Sequence, residues 1–182
     1  MATPWVPQVW QALLDHDIRQ VAFVPDAGLA PLIELARAEP AVTTVPLSTE
    51  EEGVALAAGA WLGGQRSVLL MQSSGVGNCV NMLSLARTCR FPLLMLVTMR
   101  GQWGERNPWQ VPMGSTTKVV LETAGALVFD TAAADDVAPA VDAAAAMAFT
   151  GPAAAAVLVG QRVLGAKTFV AAAAAGTGTV PR

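Results

Sequence analysis

Short apolar runs alternate with longer segments of mixed polarity along this chain. The runs have strand length, and the mixed segments repeat apolar residues near helical spacing, so the pattern predicts alternating strands and helices. A helix from about Pro4 to Asp15 carries Trp5, Val9, Leu13 and Leu14, with Thr3 as cap and Pro4 at its first position. Val21–Val24 reads as a buried strand closed by Pro25-Asp26, and Leu29 to Ala38 as the next helix. Thr43–Leu47 is a second strand, kept short by Pro46. Thr49 then caps an alanine-rich helix from Glu50 to about Leu62, which Gly63-Gly64 ends.

The rhythm continues with a strand at Ser67–Met71, a tight turn at Ser73–Gly77 and a helix from about Asn78 to Thr88. Pro92–Thr98 is almost wholly apolar, as a central parallel strand should be. Residues 99–116 are polar, aromatic and turn-rich and predict a long loop, a kind of segment that often carries function. A helical stretch near Lys118–Thr123 follows, then a strand at Leu127–Phe129, a helix over Ala132–Phe149 and a strand at Ala153–Val159. The expectation is an α/β domain over residues 1–165. It has a three-layer, flavodoxin-like fold, with about six mainly parallel strands and helices on both faces. The Ala/Gly/Thr-rich stretch 166–182 is expected to be a flexible tail.

Composition adds three exclusions. With 53% hydrophobic and only 14% charged residues in 182, the chain is no candidate for disorder, and its apolar excess points to a surface covered by a partner. A net charge of −3 with no basic patch excludes nucleic acid as the expected ligand. The apolar stretch 143–160 is broken by Gly151-Pro152, which argues against a membrane span. His16 is the single histidine, and Cys79 and Cys89 form no CxxC or Cys/His cluster, so no metal ligands are assigned. A cytoplasmic chain with two buried, reduced thiols is the expectation.

Ligands on parallel sheets bind beyond the carboxyl ends of the strands. Three unusual segments fall at such ends: Glu50-Glu51-Glu52, Ser73 to Asn78, and Arg100 to Gly114. The glutamates have a plain reading as answers to a helix dipole. They also have a chemical one, in which one carboxylate at the base of a small-residue helix works at an interface. The Ser-Ser-Gly-Val-Gly-Asn run is neither a dinucleotide fingerprint nor a phosphate loop nor a nucleophile elbow. It is either a plain βα turn or a set of N–H donors facing a polar ligand, assisted by the amides of Gln72 and Asn78. In the loop, Arg100, Arg106, Trp103 and Trp109 are separately unremarkable. Together they suit a wall for an anionic substrate.

These motifs in this order resemble the pyrimidine-binding domain of thiamine-diphosphate enzymes. The resemblance runs over Glu50 to Gly59, Leu70 to Asn78, Pro92 to Val97, Arg100-Gly101 and Gln110-x-Pro-Met-Gly114. It is closest in character to the alpha chain of sulfopyruvate decarboxylase and the matching part of phosphonopyruvate decarboxylase, and it covers about residues 5–160. It implies a glutamate that contacts N1′ of the cofactor's aminopyrimidine. The family spacing places a small residue three positions and Gly nine positions after that residue. This selects Glu50, with Gly53 and Gly59, and leaves Glu51 as runner-up. By the same resemblance Gln72, Ser74, Gly75, Gly77 and Asn78 line the cofactor, and Arg100, Arg106 and Gln110 face the substrate.

The chain has no Gly-Asp-Gly motif, which in the family serves Mg²⁺ and the diphosphate. The resemblance therefore implies a beta subunit that carries this motif, a cofactor shared across the interface, and a hetero-oligomer of at least two alpha-beta pairs. The activity implied is decarboxylation of a 2-oxo acid. Two other readings stay open: carboligation or lyase chemistry on the same cofactor, and a noncatalytic flavodoxin-like assembly subunit.

Overall fold

A computed structural model describes residues 5–165. In chain order the elements are α1 (Val6–Asp15), β1 (Ile18–Phe23), α2 (Ala30–Ala38), β2 (Thr43–Pro46), α3 (Glu50–Leu62), β3 (Arg66–Gln72), α4 (Ser73–Cys79), α5 (Leu83–Cys89), β4 (Leu93–Thr98), α6 (Val111–Thr123), β5 (Leu127–Thr131), α7 (Ala134–Thr150), β6 (Ala154–Val159) and α8 (Gln161–Leu164). One 3₁₀ turn, Pro108–Gln110, precedes α6. The six strands form one sheet in the order β2-β1-β3-β4-β6-β5, and every pairing is parallel.

The period of two along the strands divides the core between two faces. Leu70, Leu94, Leu96, Val157 and Val159 pack with Val9 and Leu13 of α1, Leu32 and Ile33 of α2, and Val137 and Val141 of α7. Leu69, Met71, Met95, Val97 and Leu158 pack on the other side with Val54 of α3, Val76 of α4, Leu83 of α5 and Leu121 of α6. The central strand β4 is buried along its whole length. This is the three-layer α/β arrangement the sequence predicts, with all strands parallel.

Four details differ from the expectation. Ser73–Cys79 is helical rather than a tight turn, and residues 80–82 separate it from α5. The glycines are tolerated because the segment is one short helix whose side chains Ser73, Val76 and Cys79 are buried. The loop after β4 ends at Asn107 rather than at 116, because Pro108 and Pro112 start the 3₁₀ turn and α6 at positions where proline costs no hydrogen bond. The turn α8 was hidden by its length. Thr49 occupies the N-cap of α3 but its hydroxyl makes no capping bond. Instead the Glu52 carboxylate accepts a hydrogen bond from the Ser48 N–H at 2.9 Å. The Gly63-Gly64 stop stands as expected, with Gly64 at φ +74°. Thr3 and Pro4 and the stretch 166–182 lie outside the described residues.

Candidate active site at the carboxyl edge of the sheet

The chain runs from β1 outward to β2 and then crosses back to β3 on the other side of β1. The carboxyl ends of β1 and β3 therefore flank the topological switch point, the crevice where open parallel sheets hold ligands. Helix α3 starts beside this crevice, and α4 follows β3 directly into it.

The three glutamates at the start of α3 have separate fates. Glu50 is 8% exposed, whereas Glu51 and Glu52 are exposed. Successive helical positions turn by about 100°, so only one of the three can face α4. The first turn of α3 lies close on β3 because Gly53 has no side chain: a Cβ there would sit 2.4 Å from Leu69 Cδ1. Asn78 Nδ2 donates to Glu50 Oε2 at 2.7 Å. Gly75 leaves room for the rest of the carboxylate, since a Cβ there would lie 2.4 Å from Glu50 Cδ and Oε1. Among the described residues, Oε1 is left without a hydrogen bond from this chain.

Gln72 and Ser74 are linked, with Ser74 Oγ donating to Gln72 Oε1 at 3.0 Å. Gln72 Nε2 in turn donates to Asp26 Oδ1 at 3.0 Å. Asp26, just past β1, also accepts from the Gly28 N–H and from Thr98 Oγ1 at the end of β4, both at 2.9 Å. Sequence reasoning passed over Asp26 as a strand terminator. The strand-end rule, applied to the first strand as it was to the next three, would have found it. Gly77 faces Met113 of α6, 3.4 Å from its sulfur to a hypothetical Cβ. The Cys79 thiol, on the buried side of α4, is pushed up to about 12 by burial first and then by the charges of Glu50 and Glu51. Cys89, expected to be buried, is exposed.

The loop after β4 is tightly wired. Glu105 accepts from Arg100 Nε at 2.8 Å and Nη2 at 2.6 Å, in a bidentate pair with both side chains under 10% exposed. It also accepts from the N–H groups of Gly101 and Asn107 and from Gln161 Nε2. Gln161 Oε1 accepts from the N–H groups of Gln102 and Trp103. Arg100 thus spends its guanidinium on Glu105, and Arg106 is exposed. Gln110 is buried, with its Oε1 unpartnered. Glu105 and Gln161 escaped the sequence reading because each is an unremarkable residue until the loop closes on it.

The Arg100 hydrogen bond is the main cause that lowers the Glu105 carboxyl from its ordinary 4.5 to about 2, against an opposing effect of burial. A lowered carboxylate stabilises the fold above its unfolded value, and that stability is lost as pH falls from 4.5 through 2. Chemical denaturation of wild type and Glu105→Gln should therefore differ at pH 6, and the difference should shrink between pH 5 and pH 2. A gap that does not change with pH would remove the ion pair from this account.

The family model for the thiamine pyrophosphate enzyme N-terminal TPP-binding domain matches residues 7–118. The chain belongs to this family. It is 38% identical over 116 residues to the sulfopyruvate decarboxylase subunit alpha of Methanococcus maripaludis, a match over 63% of this chain and 70% of that one. The subunit alpha of Methanothermobacter thermautotrophicus is 41% identical over 114 residues, 62% of this chain and 69% of that one. The phosphonopyruvate decarboxylase of Streptomyces viridochromogenes is 39% identical over 107 residues, which cover 58% of this chain but 27% of that protein. The fold is also similar to that of 2-oxoglutarate:ferredoxin oxidoreductase from Magnetococcus marinus, with a TM-score of 0.71 at 16% identity, over 90% of this chain and 29% of that one.

The site fits a thiamine pyrophosphate aminopyrimidine. Glu50 offers a buried carboxylate at the crevice, oriented through Oε2 by Asn78 and open at Oε1. Such a group can share a proton with a ring nitrogen. Among the described residues no three His, Cys, Asp or Glu gather into a metal site.

Proposed function

We propose that this chain is the alpha subunit of a split thiamine-diphosphate-dependent 2-oxo acid decarboxylase of sulfopyruvate or phosphonopyruvate type. The observation that carries the proposal is Glu50, the one buried carboxylate of its trio, set against a glycine and an amide donor at the switch point. The names of the subunit-alpha relatives support the subunit role.

Glu50 would hold the aminopyrimidine ring through a shared proton, with Asn78 fixing the plane of its carboxylate. Gln72, Ser74, Gly75 and Gly77 form the adjoining wall. The bound cofactor supplies a nucleophilic carbon and an electron sink for loss of carbon dioxide. A beta subunit contributes Mg²⁺ and the diphosphate site, and the assembly is a dimer of alpha-beta pairs or larger. No helix among the described residues is long and apolar enough to cross a membrane. A cytoplasmic enzyme is the reading in keeping with the chain's thiols.

The loop favours one refinement of the substrate. Arg100 is neutralised by Glu105, while Trp103 and Trp109 are 54% and 66% exposed. The Arg162 guanidinium lies 3.9 Å from the Trp103 ring centroid, so the loop keeps a cation, and its indoles suit a 2-oxo acid whose substituent is bulkier than a sulfonate.

The test is capture of the native complex, followed by assay of carbon dioxide release from sulfopyruvate, phosphonopyruvate and aryl or branched 2-oxo acids. A second chain with a Gly-Asp-Gly motif and decarboxylation that requires thiamine diphosphate and Mg²⁺ are the expected results. A homo-oligomer that binds no thiamine diphosphate would leave the noncatalytic assembly role instead.

A further inference from the structure

Helix α4 carries both contacts that shape Glu50, yet it is poorly equipped to stand alone. It has seven residues, and two of them, Gly75 and Gly77, are glycines. Isolated helices shorter than about 12–15 residues are marginal even with strong helix formers, and interior glycine weakens them further. Packing of Val76 and Cys79 in the core holds its buried face, and hydrogen bonds fix its N-terminal end. One reaches Ser73 from the end of β4: the Arg100 N–H donates to Ser73 Oγ at 3.1 Å. On the β1 side a single thread runs from Asp26 through the Gln72 amide to the Ser74 hydroxyl. Ser74 is the residue before Gly75, whose Cα faces the Glu50 carboxylate.

We infer that Asp26 is a positioning residue: through Gln72 and Ser74 it fixes α4, and so fixes the surroundings of Glu50. Its carboxylate is suited to the task. It gathers donors from the ends of three adjacent strands, Gly28 N–H after β1, Gln72 of β3 and Thr98 of β4. Its two oxygens offer enough lone pairs to accept from all of them. The geometric part of the inference concerns this chain alone. Its consequence for catalysis rests on the proposed function.

The test measures amide hydrogen exchange of residues 75–79 in the full chain, where no cofactor chemistry enters. Asp26→Ala and Gln72→Ala should each speed exchange there by about tenfold, the loss expected for one charge-assisted hydrogen bond. The double variant should add nothing to either single one, because both cut one thread. Thr98→Val removes a different partner of Asp26 and should leave α4 exchange unchanged. If Asp26→Ala does not fold, Gln72→Ala decides the matter alone. Unchanged α4 exchange in that variant, or single effects that multiply in the double, would overturn the inference.

The two readings can fail separately. Loosened α4 amides in a protein that never binds thiamine diphosphate would leave the tether standing and remove the enzyme. Unmoved α4 amides in an enzyme that Glu50→Gln inactivates would do the reverse. In an active assembly, Asp26→Ala should lower kcat by on the order of 10²-fold, the effect of a small misplacement of a catalytic group. KM for the 2-oxo acid should barely move, and a change confined to KM would mean that Asp26 touches substrate instead.

Discussion

Glu50→Gln in the assembled enzyme should cut turnover by about 10²–10⁴-fold, the range of general acid–base catalysis, while assembly persists. The replacement keeps the shape of the side chain. Its carbonyl oxygen can still accept from Asn78 Nδ2, which now donates to Glu50 Oε2. The amide cannot share a proton with a ring nitrogen, because it carries no exchangeable acid at neutral pH. Loss of turnover with intact assembly is therefore chemical rather than structural. Glu51→Gln is the control: Glu51 is exposed one position further round the helix, and its loss should leave turnover near normal. Steady-state kinetics of the two variants decides the assignment. An active Glu50→Gln beside a dead Glu51→Gln would transfer the role to Glu51.

The fold was legible in the sequence because the inner strands β3, β4 and β6 are buried on both faces and read as short apolar runs separated by helical segments. Glu50 was legible through the spacing of Gly53 and Gly59. The structure supplies a reason for the first: Gly53 lets α3 lie on Leu69. It supplies no internal reason for the second, since a Cβ at Gly59 would meet open space. That glycine sits on the exposed side of α3 with Ala55 and Leu62, where only a partner chain would feel it. Helix α4 was not legible, because two glycines after a strand are the ordinary signature of a turn. Its helical form depends on core packing of Val76 and Cys79 and on hydrogen bonds between Gln72 and Asp26 and between Arg100 and Ser73, 46 and 27 positions apart in sequence. Local propensity carries no information about contacts at such separations. The same holds for Glu105, whose role appears only when the loop brings Arg100 and Gln161 to one carboxylate.

Gly75→Ala should still fold but with turnover lowered by about 10²-fold. The new methyl group would lie 2.4 Å from Glu50 Cδ and Oε1 and 2.5 Å from Cγ. That is far inside contact distance, so one side must yield. Helix α4 is held by Arg100 at the Ser73 hydroxyl and by the burial of Val76 and Cys79 in the core. The Glu50 carboxylate is the end of a flexible side chain, so the carboxylate moves, and the Asn78 hydrogen bond goes with it. Alanine meanwhile favours the helix over glycine by about 1 kcal/mol, which offsets part of the lost hydrogen bond, so thermal unfolding should show only a small loss. Combining Gly75→Ala with Glu50→Gln sharpens the test. If the alanine acts by displacing the carboxylate, it has nothing left to damage once the acid is gone, and the double variant should match Glu50→Gln alone. Two full losses that multiply would show that Gly75 serves the site by a route other than Glu50, such as direct approach of the ligand to the α4 backbone.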